Sequence, residues 1–207
     1  QIGFGTRVLD ARKFYERYPK WSLMGKMVAD TRAAIDAVRS LDVVDAGKVY
    51  LIGYALGAKV GLLTAALDDT VAGVAAVCGV DPLRLSTADK GTEGIRHYSH
   101  LHGLLPQLGY FVGEEERVPF DYDEVIALLA PRPALIVAPI RDRYARIDDV
   151  RREVEAAAGV YGVLGHKEAL QLQTPDDFNR FPRKLQEQVY DWLAGLSQAQ
   201  AGSRGKS

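Results

Sequence analysis

The ten residues Lys48-Val-Tyr-Leu-Ile-Gly-Tyr-Ala-Leu-Gly57 constrain this chain most. An apolar run of strand composition, Val49 to Tyr54, reaches Gly53 and passes almost at once into a small-residue helix, Ala58 to Leu67. A strand that becomes a helix with no intervening loop must turn sharply, and glycines at 53 and 57 supply backbone freedom there. After Asp68-Asp69 a second run, Val71 to Val80, is too uniformly apolar to have a wet face. Two such strands joined by a helix make a parallel unit with a right-handed crossover.

The flanking sequence extends that unit. Ser22 caps a helix to about Leu41 with Met24, Met27, Val28, Thr31, Ile35 and Val38 on its apolar stripe. Ahead of it, Gln1 to Ser22 mixes glycines and aromatics without a period and reads mostly as loop. Asp81 to Asp123, rich in Gly, Pro, His and Tyr, is longer than a connection needs and reads as a lid or binding loop. Helix Tyr122 to Leu129, strand Ala134 to Ile140, helix Ile147 to Leu164, strand Glu168 to Thr174 and helix Arg183 to Leu196 follow. The expected fold is α/β, a three-layer parallel sheet of about four strands in chain order with helices on both faces. Residues 1–197 form one domain with an insertion at 81–123, and the polar stretch 198–207 is an expected disordered tail.

With 207 residues, 47% hydrophobic content and a formal charge of −1, nothing in the charge calls for a nucleic-acid partner. The lone Cys78 allows no intrachain disulfide and fits a reducing, cytoplasmic compartment. No run approaches membrane-spanning length and no signal peptide is visible. A start at Gln1 points to processing, trimming or a fragment.

The turn fits the frame Gly-x-Ser-x-Gly, in which a nucleophilic serine stands clear above the sheet, except that Ala55 holds the serine's place. A methyl group can neither attack a carbonyl nor give up a proton. The order of parts, with Gly53-Tyr-Ala-Leu-Gly57, Ala130-Pro-Arg-Pro133, Ala138-Pro-Ile-Arg-Asp142 and Pro175-Asp-Asp-Phe-Asn-Arg-Phe181, resembles the α/β-hydrolase superfamily from its fifth strand onward. Within it the chain is similar to dienelactone-hydrolase and acetyl-xylan-esterase-like proteins, and the family's first four strands have no counterpart in it. The resemblance implies carboxylic-ester hydrolysis, with Asp142 at the triad acid's position and the histidine's position at Asp177 to Arg180, best at Asn179. Asparagine does not shuttle protons near neutral pH. The backbone N–H of Leu56 would then be one arm of an oxyanion hole.

Each assignment has a plainer reading. Asp142 among Arg141, Arg143 and Arg146 also fits a solvated loop carboxylate. Tyr54, Tyr98, Tyr110 and Phe111 fit either a pocket for a small acyl or aromatic ligand or the core of the insertion. His97, His100 and His102 are spaced loosely for a metal, with no carboxylate at ligand spacing, and fit lid packing better; His100 is also placed among the substrate-binding residues. His166 falls at the far end of the sheet, and Cys78 reads as core rather than nucleophile. No metal or cofactor is expected. Three functions follow: an esterase silenced by design at Ala55, a naturally degenerate binding or structural domain, or an enzyme using other residues. Because the strand Val49 to Tyr54 lacks its outer neighbour, the expected partner is a second copy or a polypeptide supplying the missing strands, with a small ester-like ligand at the site.

Overall fold

A computed structural model describes residues 4–85, 94–96, 98–99 and 103–204. Four strands form one parallel sheet in the order β1-β2-β3-β4: β1 (Tyr50–Tyr54), β2 (Gly73–Val77), β3 (Ala134–Val137) and β4 (Leu170–Gln173). Tyr50 lies opposite Gly73, Val74 opposite Ala134 and Ala134 opposite Leu170. All residues of β2 and β3 are buried, as their unbroken apolar composition requires of inner parallel strands, while β1 and β4 are edges.

Chain order and right-handed crossovers together send the connecting helices to one face. There α2 (Leu23–Arg39), α3 (Leu56–Leu67), α4 (Tyr122–Ala127) and α5 (Ile147–Val163) join Val74, Ala76, Ala134 and Ile136 in the main core. The other face has α6 (Arg183–Arg204), whose Leu185 and Val189 cover Ala75, Val77, Leu135 and Val137. Ser22 caps α2 as its sequence implies, its hydroxyl accepting from the Gly25 N–H at 2.9 Å.

Two expectations are corrected. The segment read as loop contains a helix, α1 (Phe4–Arg17), which is tied down through Tyr15: the hydroxyl donates to the Gly103 carbonyl at 2.6 Å and accepts from the Leu23 N–H at 2.9 Å. Ala11 is buried beside this anchor, and the sequence offers no sustained period that would announce the helix. The expected tail is helical as far as Arg204, where α6 ends. Part of the expected lid joins the core: Leu104, Leu108 and Val118 are buried against the helices, and the Asp121 carboxylate takes the Leu83 and Arg84 N–H groups at 2.8 and 2.7 Å.

At the amino ends of the strands, Arg132 closes the structure. Its guanidinium donates to the carbonyls of Ala65, Asp68 and Val71 at 2.7–2.9 Å and more weakly to Leu128 and Leu129. It thus satisfies carbonyls that the ends of α3 and α4 leave without helical partners. The Ala130-Pro-Arg-Pro133 motif is explained by this role in joining two helix ends to β2 and β3.

Between α4 and α5, burial and then the neighbouring charge of Asp121 push Glu153 up to about 7. Its carboxylate accepts the Asp123 N–H at 2.8 Å. A carboxyl whose folded pKa is raised from 4.5 favours folding fully below pH 4.5, and that contribution is lost as pH rises through about 7. Glu153→Gln should therefore be more stable than the parent above pH 7.5, by roughly 2 kcal/mol after allowance for screening, with the gap closing toward pH 4.5. Urea unfolding at the two pH values measures it, and a gap that does not depend on pH would contradict the assignment.

Candidate active site

The site forms where the carboxyl ends of the strands are drawn level. The ladder runs one residue beyond each strand: Ala55 N–H donates to Val77, Cys78 N–H to Val137 and Ala138 N–H to Gln173, all at 2.8–2.9 Å. The loops after β3 and β4 are then sewn together, Ile140 N–H to the Pro175 carbonyl and Arg141 N–H to the Asp177 carbonyl, both at 3.0 Å. Three strand ends thereby share one cleft.

The turn after β1 is as sharp as its glycine implies. A Cβ on Gly53 would lie 2.2 Å from the Gly57 carbonyl oxygen, and one on Gly79 would lie 2.2 Å from the Ala58 Cβ. These absent side chains let the first turn of α3 rest directly on the ends of β1 and β2. Gly57 meets nothing within 4 Å, so its role is not steric. The close approach forces Ala55 to φ 50°, ψ −115°, a region costly for any residue with a Cβ. Ala55 precedes the first residue of α3, Leu56, whose N–H has no carbonyl to reach within the helix.

Asp142 and Asn179 meet at this cleft. Asn179 Nδ2 donates to Asp142 Oδ2 at 2.8 Å, and the Tyr144 N–H holds the other carboxylate oxygen at 2.9 Å. Tyr54, 39% exposed, donates its hydroxyl to Asn179 Oδ1 at 2.8 Å and to the Asn179 carbonyl at 3.0 Å. Its ring lies on Phe181, with centroids 6.1 Å apart and planes 21° apart. Burial, followed by the charges of Cys78, Asp142 and Tyr144, holds the Tyr54 phenol above its usual range. Around the rim Arg141 makes a two-pronged bond to Asp176 at 2.7 Å and stacks on Phe178, and Arg180 binds Asp177.

Cys78, read from sequence as core, belongs to this neighbourhood. It is half-buried with φ 54°, and burial, then the charge of Asp142, pushes its thiol up to about 12 despite the Arg180 N–H. A thiol held there is no nucleophile at neutral pH. The Cys78-Gly79 pair ending an apolar run was the available signal, since a left-handed residue ahead of a tightly packed glycine marks a turn.

The other ligand candidates are not gathered here. Tyr98 is 2% exposed in the main core, with the ammonium of buried Lys59 over its ring at 4.6 Å and its hydroxyl 3.4 Å from that of Tyr122. A cavity of about 10 Å³ beside it, lined by Met24, Leu63, Phe120 and Tyr122 among others, has room for roughly one water. Burial before all else keeps Tyr122 protonated well above its ordinary range. Tyr110 stands 87% exposed on the 3-10 turn Pro106–Phe111. His97, His100 and His102 lie outside the described residues, and among the described residues no three His, Cys, Asp or Glu are arranged to hold a metal ion. His166 is exposed just before β4, at the opposite end of the sheet.

A parallel sheet with a strand–turn–helix elbow and loops meeting at its carboxyl edge defines an esterase-type α/β fold of the α/β-hydrolase kind. The family model described as glucuronyl esterase of fungi matches residues 5–165, and the chain belongs to that family. Its sequence had pointed to other esterases of the same superfamily. The Bacillus subtilis protein YtaP, named as a hydrolase, is 27% identical over 179 residues, 79% of this chain and 55% of its own length. The carbohydrate esterase MZ0003 from an unknown prokaryotic organism is 27% identical over 149 residues, 70% of this chain and 34% of that protein. In fold the chain is similar to the glucuronoyl esterase of Caldicellulosiruptor kristjansonii, with TM-score 0.73 and 22% identity over 87% of this chain and 52% of the other. It is also similar to the glucuronoyl esterase catalytic domain of Hypocrea jecorina, with TM-score 0.70 and 17% identity over 86% and 53%. The chain thus spans about half the length of these relatives, and a third of MZ0003.

The elbow geometry makes a test of its own. Ala55→Gly should stabilise the fold by roughly 1 kcal/mol by removing the strained Cβ, whereas Gly53→Ala should destabilise it by at least about 3 kcal/mol. Denaturant midpoints decide, and an Ala55→Gly variant weaker than the parent would contradict the strain.

Proposed function

We propose that this is an ester-hydrolase-like domain that keeps the frame of a serine esterase without its chemistry. Ala55 stands at the nucleophile's position, Asp142 at the acid's and Asn179 at the histidine's, with the Leu56 N–H as an oxyanion donor. The observation that carries the reading is the 2.8 Å bond from Asn179 Nδ2 to Asp142 Oδ2, beside an alanine held in a left-handed turn. A triad histidine uses its Nδ1–H toward the acid in the same way. Two departures support a naturally degenerate site, because a designed knockout needs one. The names of the relatives, carbohydrate and glucuronoyl esterases, favour a carbohydrate ester as the ligand bound without turnover.

Activated esters should show negligible turnover, since loss of a triad removes roughly a million-fold. Ala55→Ser alone should recover little, lacking a base. Ala55→Ser with Asn179→His should exceed either single change by roughly a hundredfold, the ordinary worth of a general base. Steady turnover by the parent chain, abolished by Asp142→Ala, would overturn the reading.

The partner follows from β1. It has no charged residue between Val49 and Tyr54, and Ile52 remains 37% exposed on it. An edge of this kind is a template for pairing, and we propose that it is covered by a second copy or by a polypeptide supplying further strands. Light scattering at micromolar concentration should give more than a monomer mass. A stable monomer with slow hydrogen exchange at Val49 to Tyr54 would contradict association along this edge and favour a covering segment of the same chain.

A further inference from the structure

Tyr54 lies in the cleft but holds none of the positions of a serine esterase's triad or oxyanion hole. It adjoins the elbow residue, packs on Phe181 and spends its single proton on two acceptors of Asn179, Oδ1 at 2.8 Å and the carbonyl at 3.0 Å. That shared bond fixes the amide: Oδ1 faces Tyr54, so Nδ2 faces Asp142 at 2.8 Å. Because burial and nearby acidic groups keep the phenol protonated, it remains a donor across the neutral range.

We propose that Tyr54 is a positioning residue that locks position 179 into a closed chain of hydrogen bonds, Tyr54 to Asn179 to Asp142, and covers the acceptor side on which a base placed there would work. The inference rests on the proposed reading of position 179. A histidine keeping the bond to Asp142 would direct Nδ1–H along the present Nδ2 bond. Its Cδ2 would then fall where Oδ1 now lies and its Nε2 one bond farther out on the same side, so that the Tyr54 hydroxyl, 2.8 Å from Oδ1 in the present chain, would donate to the lone pair needed to take a proton from a nucleophile. In the chain as it stands, the same bonds join the end of β1 to the loops after β3 and β4, so the cleft works as a clasp.

The test is Asn179→His with and without Tyr54→Phe, the introduced imidazole being titrated by NMR. A phenol donating to Nε2 favours the neutral ring, so adding Tyr54→Phe should raise the imidazole pKa by at least about half a unit. With Ala55→Ser also present, it should raise kcat on an activated ester about tenfold with KM little changed. In the otherwise unmodified chain, Tyr54→Phe should speed hydrogen exchange at residues 177–181 about tenfold. An unshifted imidazole or unchanged exchange would overturn the role of Tyr54, whatever the turnover. A shifted imidazole with no turnover in any variant would uphold it and count instead against the ester-hydrolase frame.

Discussion

The contact on which the rest of this structure depends is the seating of the first turn of α3 on the ends of β1 and β2. It is possible because Gly53 and Gly79 have no Cβ at places where one would fall 2.2 Å from neighbouring atoms. Everything at the carboxyl edge takes its position from that approach. Ala55 is driven into a left-handed conformation, Cys78 follows it on the next strand, and the loops after β3 and β4 close over both. Strain of this kind persists only where surrounding structure over-determines it. Here the surroundings are two inner strands buried on both faces and a helix end pinned by Arg132.

In the proposed reading the cleft keeps the geometry of a reactive site and uses its polar groups structurally. A carboxylate, an amide and a phenol form a chain in which each link is a good hydrogen bond, and burial keeps the phenol protonated above its usual range. Cys78, a potential nucleophile beside them, is held as a thiol by burial and by Asp142. The polar groups are spent on one another, and what they stabilise is the meeting of three strand ends.

How much of this was legible in the sequence depended on whether the cause was local. Inner strands announce themselves because burial on both faces demands unbroken apolar runs, so β2 and β3 were readable, although β2 stops at Val77 when Cys78 leaves the extended region. The elbow was readable from Gly53, whose spacing to the helix leaves no other turn. Asp142 and Asn179 were found through resemblance, since a carboxylate in one loop and an amide 37 residues later have no local sign of meeting. Helix α1 was missed because a hydroxyl at Tyr15 reaching Gly103 holds it in place, a link no periodicity contains. Tyr98 was open between a ligand contact and the core of the insertion, and burial with Lys59 over its ring places it in the core. Lys59 itself gave no signal, since lysine on a helix is ordinarily a solvated residue.

The proposed function requires that the cleft keep the elbow of an esterase-like fold and hold no reactive nucleophile. An alkyl fluorophosphonate, which bonds covalently to activated serine, thiolate or phenolate groups, examines that claim directly when the intact mass of the protein is followed at neutral pH. The account predicts no mass increment on the parent chain after prolonged incubation and one increment, mapped to position 55, when Ala55→Ser and Asn179→His are combined. A stoichiometric increment on the parent chain, at Cys78, Tyr54 or any other residue of the cleft, would contradict it.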